Sequence, residues 1–529
     1  MAVQPAVTPG SEGSDSSQLV RSESILSNRW TILFFSVVSM VAVANFQYGW
    51  TLFVQPLQRH LNATTAAVSV TFTVFVLLET WLVPFEGWLV DKFGPRLLVM
   101  AGGVLAGLGW VGSGKAETLT ALYLSYAVAG IGAGIVYGTA VGSALKWFPE
   151  HRGLAAGLTA AGFGAGSAAT VIPLTRMIAG SGYQRTFIVW GIIQGLVVVV
   201  SAMFLKAPPG NWMPKTWRSM GSEQVRTRQT AVSFSSTQMA ATPHFWLMYF
   251  MMAMVATGGL MATAQLAPMA AAFGVNNVNF NVWLFGTMAT VTFALWLDRI
   301  VNGLCRPFWG WVSDHIGREK TMTLAFGLEA IAIFALITLA HNPVMFILLS
   351  AFTFFGWAEI FSLFPALCGD FFGRQHATEN YGFLYTAKGT SSMFVPVGAA
   401  LAATTVAGRT FDFRGDILLL LGGAFVLFTL FLAPTVFRIK LNAAVRSVLL
   451  TVALVLVTYG IIVVLLPGRI KTPFSASFIM PQIGWRGVFS VAIAFDLIAA
   501  VLAFFVLRNM KAPALPAAAE AKPGAKVAA

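Results

Sequence analysis

The sequence has few charged residues. Only 10% of its 529 residues are Asp, Glu, Lys or Arg, whereas 57% are hydrophobic, and the mean hydropathy is +0.75. A soluble protein carries about 25% charged residues. This scarcity of charge excludes an ordinary soluble globular protein, and the sequence predicts an all-α polytopic membrane protein.

Cysteines and metal-ligand patterns are also scarce. The two cysteines, Cys305 and Cys368, both lie in apolar segments, which favours packing over a disulfide or a metal site. The sequence shows neither a spacing of His, Cys and carboxylates typical of metal sites nor a nucleophile–base pair. It therefore predicts no metal, no cofactor and no enzymatic activity.

The basic residues lie in short polar segments between long apolar runs, and they give the chain a net charge of +13. Membrane topology explains this scatter better than a nucleic-acid partner does. Apolar runs of about 20 residues are long enough to cross a bilayer as helices. We predict fourteen spans, at residues 30–55, 66–90, 97–114, 120–147, 153–178, 186–206, 245–272, 283–312, 320–340, 343–367, 381–404, 416–437, 445–467 and 485–508.

The distribution of positive charge predicts the orientation of these spans. With both termini in the cytoplasm, the cytoplasmic segments hold 21 of the 33 Lys and Arg residues and the external loops hold nine. This asymmetry follows the positive-inside rule and supports an even number of spans. The first 28 residues lack the apolar core of a signal peptide, so we expect no cleavage. The composition fits an integral protein of a bacterial inner membrane.

An internal repeat predicts two similar halves. The segments "GWLVDKFGPR" and "GWVSDHIGREK" begin at Gly87 and Gly310, each at the cytoplasmic end of the second span of its half. A tight turn explains the local residues equally well, but it does not explain the duplication. The repeated positions that we expect to form gating loops are Gly87, Asp91, Gly94 and Arg96 in the first half, and Gly310, Asp314, Gly317 and Arg318 in the second.

The longest polar connection divides the chain after the sixth span. Two six-helix halves with a substrate site between them are the architecture of many secondary transporters. We predict a monomer with five regions: a cytoplasmic tail at 1–29, a bundle at 30–206, a cytoplasmic linker at 207–243, a second bundle at 244–508 that includes an inserted helix pair at 416–467, and a tail at 509–529.

Both halves carry longer motifs. The first half has "QYGWTL" from Gln47, "DKFGPR", "GIVYG" from Gly134 and "WFPEHRGLAAG". The second half has "NGLCRPFWGWVSDHIGR" from Asn302, "LFP", "NYGFLYTAKGT" from Asn380 and "GWRGVF" from Gly484. Together these motifs resemble the oxalate/formate antiporter family of the major facilitator superfamily. The resemblance implies a major facilitator fold of two six-helix bundles, here with two extra spans, for about fourteen transmembrane helices.

Two cations lie deep within the predicted spans. Counting helical rise from the cytoplasmic boundary places Arg306 and Lys388 at roughly 12 and 11 Å, hence at nearly one level. Intramembrane ionisable residues are functional candidates, and the alternative is that each is permanently paired with a helix carboxylate. In the resembled family, an Arg and a Lys at these positions hold a small carboxylate. The resemblance also implicates the aromatic residues Tyr48, Tyr137, Phe163, Trp357, Phe361 and Tyr385.

Further charges lie in the predicted spans, at Glu79, Asp298, Arg299 and Glu359. With Arg306 and Lys388, they make three cations and three anions, so the charges within the spans can balance when no substrate is bound. The resembled family has uncharged residues at these four positions. This departure favours a monoanion, or coupling to protons, over an unassisted dianion, because burial favours the neutral form of a carboxyl group.

The sequence leaves three functions open. The first is a secondary transporter that exchanges small carboxylate anions such as oxalate and formate. The second is a proton-coupled monocarboxylate symporter in which Glu79, Asp298 or Glu359 binds the proton. The third is a membrane sensor of carboxylates. We expect the lipid bilayer, small carboxylates and, for the second function, protons as partners, and no nucleic acid.

Overall fold

Twelve helical segments account for most of the described chain, and eight of its helical stretches are long and apolar enough to cross a membrane. The computed structural model describes residues 28–148, 152–208, 233–276, 278–282, 286–373, 376–402, 413–414, 477–478, 484–510 and 513. The predicted spans 416–437 and 445–467, the centre of the predicted linker and most of both predicted tails lie outside these residues.

The first six segments, TM1 to TM6, form the N-terminal half. TM5 and TM6 share one long helix that is interrupted at Gly182, where φ is +81°. The segments are TM1 (Arg29–Tyr48 and Thr51–Leu61), TM2 (Thr65–Trp81 and Val83–Phe93), TM3 (Pro95–Gly114), TM4 (Leu119–Trp147), and TM5 and TM6 (Arg152–Ala165 and Ala168–Ala202).

The other six segments, TM7 to TM12, form the C-terminal half. They are TM7 (Pro243–Ala272), TM8 (Thr290–Ile316), TM9 (Arg318–Leu339), TM10 (Pro343–Trp357 and Ile360–Phe372), TM11 (Ala377–Ser392 and Phe394–Ala402) and TM12 (Gly484–Val501, continued by Leu502–Val506 and Leu507–Asn509). A short helix, Ser236–Ala240, precedes TM7.

Two short antiparallel ladders lie among the helices. Asn279–Val282 pairs with Gly286–Ala289, so the chain enters TM8 from a hairpin, and the helix begins several residues later than the apolar run 283–312 predicts. Phe413–Arg414 pairs with Ser477–Phe478, which joins the two ends of the predicted insertion.

Glycine allows the tight turns that carry the repeated motifs. Gly94 separates TM2 from TM3 with φ +80° and ψ 160°, and Gly317 separates TM8 from TM9 with φ +94° and ψ 153°. A positive φ is strained for other residues. The two halves therefore make equivalent turns, and we call this side of the molecule the motif end.

Small residues let the helices of the N-terminal half approach closely. In the glycine-rich run of TM4, a side chain at Gly130 would meet the backbone of Phe75, and one at Gly132 would meet Gly102 and Ala106 of TM3. Close packing through small residues is the usual way that helices associate in lipid. The close contacts at Gly130 and Gly132 therefore make them packing positions.

The two halves meet along a seam, which we define as the boundary between TM1, TM2 and TM5 on one side and TM7, TM8, TM10 and TM11 on the other. TM2 packs against TM11, and TM5 packs against TM8. Between the centre of the seam and the end opposite the motif end, four hydrogen bonds between described residues cross it: Thr73 Oγ1 to Ser392 O (2.7 Å), Ser392 Oγ to Thr73 O (3.4 Å), Gln265 Nε2 to Ser69 Oγ (2.6 Å) and Ala267 N to Thr51 Oγ1 (3.0 Å).

Candidate functional site

Lys388 lies at the centre of the seam and is fully buried. Its ammonium group lies 3.0 Å from both carboxylate oxygens of Glu79 on TM2. It also donates to Gln47 Oε1 on TM1 at 2.8 Å and to the hydroxyl of Tyr385, one turn earlier on TM11, at 3.0 Å. The Lys388–Glu79 pair is therefore an internal ion pair that joins the two halves.

Arg306 on TM8 is equally buried but has no carboxylate partner among the described residues. Its guanidinium donates to the carbonyl of Ala160 on TM5 at 2.7 Å, to the hydroxyl of Tyr48 on TM1 at 3.2 Å, and to Asn302 Oδ1 at 3.2 Å. Its Nε has no hydrogen-bond partner. Its charge is therefore available to an anion.

The ring of Phe361 on TM10 brings the two cations together. The Arg306 guanidinium lies 4.4 Å from the ring centroid, and the Lys388 ammonium lies 5.7 Å from it. Phe163 on TM5 contacts the same ammonium at 5.5 Å. We call Arg306, Lys388 and the rings around them the central site.

Tyrosines of both halves complete the wall of the central site. Tyr137 of TM4 stacks on Tyr385 of TM11 at 5.0 Å, with an interplanar angle of 6°. Phe163 makes edge contacts with both Tyr48 and Tyr137 at 5.3 Å. Aromatic walls exclude water and strengthen electrostatic interactions within the site. Each of these rings is less than 5% exposed.

Trp357 lies behind this wall. Its indole ring makes an edge contact with Phe361 at 5.2 Å and packs on Gly259 of TM7. Within the described chain, the Trp357 ring makes no cation–π contact with Arg306 or Lys388. The structure therefore places it as the support of Phe361.

Arg299, two turns from Arg306 on TM8, also faces the seam. Its guanidinium lies between the rings of Tyr48 (4.5 Å) and Phe354 (4.3 Å). The neighbouring Asp298 points towards TM10, where it accepts a hydrogen bond from Ser350 at 2.9 Å. Within the described chain, neither residue makes a close ion pair.

Glu359 lies away from the cations, at the break in TM10. It interacts electrostatically with Asp496 of TM12 and with Glu329 of TM9, and all three carboxyl groups are fully buried without a hydrogen-bond partner. We call these three residues the acid cluster. Of the three acids that the sequence sets against three cations, Glu79 forms an ion pair in the described chain, Asp298 bonds to Ser350, and Glu359 lies with other acids inside the C-terminal half.

The sequence reasoning missed several polar residues. Glu329, Asp496 and the buried Glu86 are lone acidic residues within predicted spans, the same signal that identified Glu79. Gln47 and Asn302 begin two of the family motifs, but the sequence did not predict that they contact Lys388 and Arg306. Uncharged polar residues are common in spans, so this signal is weaker.

The predicted gating loops lie at the motif end. In the second half, Arg318 pairs with Asp314 at 2.7 Å and with Asp370 of TM10 at 3.3 Å, and it hydrogen-bonds to Ser313. These contacts tie the TM8–TM9 turn to TM10. The remaining predicted loop residues lie at the equivalent turn or beside these pairs: Gly87, Asp91, Gly94, Arg96, Gly310 and Gly317.

Comparison with known sequences and structures identifies the class of protein. The profile of the Major Facilitator Superfamily matches residues 32–396 and 299–468. A bacterial homologue of the human lysosomal transporter Spinster, in an inward-facing, occupied conformation, has the same fold, with a TM-score of 0.55 and 15% identity over 91% of this chain and 97% of that chain. This chain belongs to the Major Facilitator Superfamily, so it is an integral membrane transporter and not an enzyme.

Two relatives show which members of the superfamily this chain is similar to. The chain is 35% identical over 390 residues to the oxalate:formate antiporter of Oxalobacter formigenes, covering 73% of this chain and 88% of that protein. It is also 26% identical to the uncharacterized transporter YhjX of Escherichia coli, over 69% of this chain and 86% of that protein. The resemblance to the oxalate/formate antiporter family is confirmed.

Proposed function

We propose that the chain is a secondary carrier of small carboxylates that works by alternating access and exchanges one anion for another. The observation that carries this proposal is the pair of buried cations at Phe361, of which Arg306 lacks a carboxylate partner in the described chain. A planar guanidinium fits a carboxylate with two parallel hydrogen bonds, and an ammonium adds a compact charge. The name of the relative from Oxalobacter formigenes supports the same substrate class.

Exchange follows from the charge of the empty site. Arg306 and Lys388 carry two positive charges, and Glu79 offsets only one. Moving an uncompensated charge through the low-dielectric seam is unfavourable. A bound carboxylate neutralises the site, so the loaded carrier reorients more easily than the empty one. We therefore expect transport in one direction to depend on substrate at the other face.

The Glu79–Lys388 pair favours a second candidate, proton-coupled uptake of a monocarboxylate. Glu79 is the acid that holds the Lys388 ammonium, so protonation of Glu79 would release this cation to the substrate. Some relatives over shorter regions are monocarboxylate transporters: the human monocarboxylate transporter 14 is 29% identical over 32% of this chain. In this mechanism, binding of a proton to Glu79 raises the net charge of the site by one during each transport cycle.

Proteoliposomes distinguish the two mechanisms. We expect labelled formate or oxalate to leave loaded vesicles only when an external carboxylate is present, and to do so without a pH gradient. If an inward proton gradient instead drives uptake of the labelled carboxylate into empty vesicles, this would support the symporter. Binding without movement of label in either assay would contradict both and indicate a sensor.

We further propose that the protein lies in a bacterial inner membrane, with the motif end and both termini facing the cytoplasm. We also propose that it acts as a monomer in which the two predicted bundles move relative to each other. The buried native cysteines give a low labelling background. In intact cells, a membrane-impermeant maleimide should label Glu117→Cys, at the opposite end, and should leave Lys320→Cys, at the motif end, unlabelled. The reverse pattern would overturn this orientation.

A further inference from the structure

Arg299 is a buried cation that the proposed transport cycle leaves without a role. Its side chain is fully buried, and none of its three guanidinium nitrogens has a hydrogen-bond partner. The two aromatic rings that enclose it, Tyr48 and Phe354, offer cation–π contacts but accept no strong hydrogen bond. A buried charge is normally paired and hydrogen-bonded, so these nitrogens indicate a missing acceptor.

Asp298 does not supply that acceptor. Adjacent residues on a helix point about 100° apart, and the Asp298 carboxylate is directed to the hydroxyl of Ser350 on TM10. It reduces the electrostatic cost of Arg299 without hydrogen-bonding to it. The guanidinium remains turned towards the seam, where Tyr48 of the N-terminal half forms one wall.

Tyr48 connects Arg299 to the central site. Its hydroxyl accepts a hydrogen bond from Arg306 at 3.2 Å, while its ring lies 4.5 Å from the Arg299 guanidinium. The two arginines lie seven residues apart on one helix, so they share a face. Both therefore border the same tyrosine, and neither has a carboxylate partner within hydrogen-bonding distance in the described chain.

We infer that Arg299 binds the second carboxylate of an aliphatic dicarboxylate whose first carboxylate is bound by Arg306. The unused nitrogens of Arg299 present the planar fork that carboxylates prefer. Lys388, held by Glu79, completes the charge around the first carboxylate. The ligand is longer than oxalate, because its two carboxylates reach past the Tyr48 side chain from one guanidinium to the other.

This inference rests on the proposed carboxylate site and is tested with matched ligands. Succinate and butyrate have the same number of carbon atoms and differ in one carboxylate. Calorimetry on the purified full-length chain should show succinate binding at least about tenfold more tightly than butyrate, the effect of an added charge-assisted hydrogen bond. Arg299→Gln should remove this preference while leaving butyrate affinity within about twofold.

Two further variants separate ligand binding from a structural role. Asp298→Asn changes the adjacent charge and should keep the succinate preference, and Arg299→Lys should restore part of it. If Arg299→Gln lowers the affinities for succinate and butyrate equally, Arg299 does not bind a second carboxylate. The same conclusion follows if this variant does not fold and the wild-type protein binds both ligands equally.

Chloride tests whether Arg299 binds an inorganic anion instead of a carboxylate. Tighter binding of chloride by the wild-type protein than by Arg299→Gln, without a succinate preference, would overturn the inference in favour of an inorganic anion. The proposed function stands in these cases if butyrate or formate is still transported. It fails separately if the wild-type protein transports no carboxylate.

Discussion

The two cations of the central site have opposite surroundings. Lys388 on TM11 is held by Glu79, whose two carboxylate oxygens both lie 3.0 Å from its ammonium. Within the described chain, Arg306 on TM8 donates hydrogen bonds only to carbonyl, hydroxyl and amide oxygens. Arg299, two turns away, has no hydrogen-bond partner there and lies between two aromatic rings. The charge of Lys388 is therefore balanced internally, whereas Arg306 and Arg299 have no ion-pair partner in the described chain.

This difference separates two tasks that any carrier of anions must perform. In the proposed mechanism, the arginines attract the substrate. Lys388 adds a cation whose availability depends on Glu79 in the opposite half, so it would couple substrate binding to the arrangement of the two halves. A site with two equally free cations would bind anions more strongly but would be harder to close when empty.

The largest effect should come from removing the unbalanced cation. We expect Arg306→Ala to lower exchange of labelled formate or oxalate in proteoliposomes by more than about a hundredfold, because a buried charge-assisted pair is lost at the substrate. Lys388→Ala should also abolish transport. Both variants should remain monodisperse in detergent, which distinguishes loss of function from loss of folding. Flux equal to the wild-type protein in either variant would contradict the central site.

A smaller effect on function, with a larger effect on stability, should follow from removing the internal acid. Glu79→Gln leaves Lys388 buried without its counter-ion, and breaking a buried pair costs about 3–5 kcal/mol. Thermal unfolding should show this loss, and added formate or oxalate should restore more stability to the variant than to the wild-type protein.

The double variant Glu79→Gln/Lys388→Gln is the control for this second prediction. It removes both charges together, so it should recover much of the thermal stability but none of the transport. Equal stability of Glu79→Gln and the wild-type protein would mean that Lys388 has another counter-ion, and the contrast between the two cations would disappear.

The smallest effect should come from the acid cluster. In the described chain, no cation forms an ion pair with Glu329, Glu359 or Asp496. Replacing one of these carboxyl groups by its amide therefore removes no ion pair. We expect Glu329→Gln and Asp496→Asn to keep exchange within about twofold of the wild-type rate, in the assay where Glu79→Gln does not. A large loss of flux in either variant would show that transport depends on the cluster.

Much of the fold and part of the site follow from the sequence. The long apolar runs and the repeated glycine-containing turns predict the helices, because a bilayer admits few other structures. Helical rise places Arg306 and Lys388 at one level, and the structure brings both to Phe361. These inferences need only local geometry along each helix.

Pairing between helices does not follow from the same reasoning. The sequence shows Glu79 and Glu359 as equivalent lone acids within spans, yet the first meets Lys388 and the second meets Asp496 and Glu329. Which acid meets which cation depends on how TM2, TM9, TM10 and TM12 are arranged around each other. That arrangement is set by the packing of many small contacts, which periodicity along one helix does not determine.

The hydrogen bonds that cross the seam set an energy scale for the transport cycle. Among the described residues, four of them join the halves between the centre and the end opposite the motif end, and each contributes about 1 kcal/mol. Separating this end therefore costs a few kcal/mol from this source, comparable with the binding free energy of a ligand with millimolar affinity, about 4 kcal/mol. A ligand whose binding free energies to the two conformations differ by this amount is therefore enough to redistribute their populations.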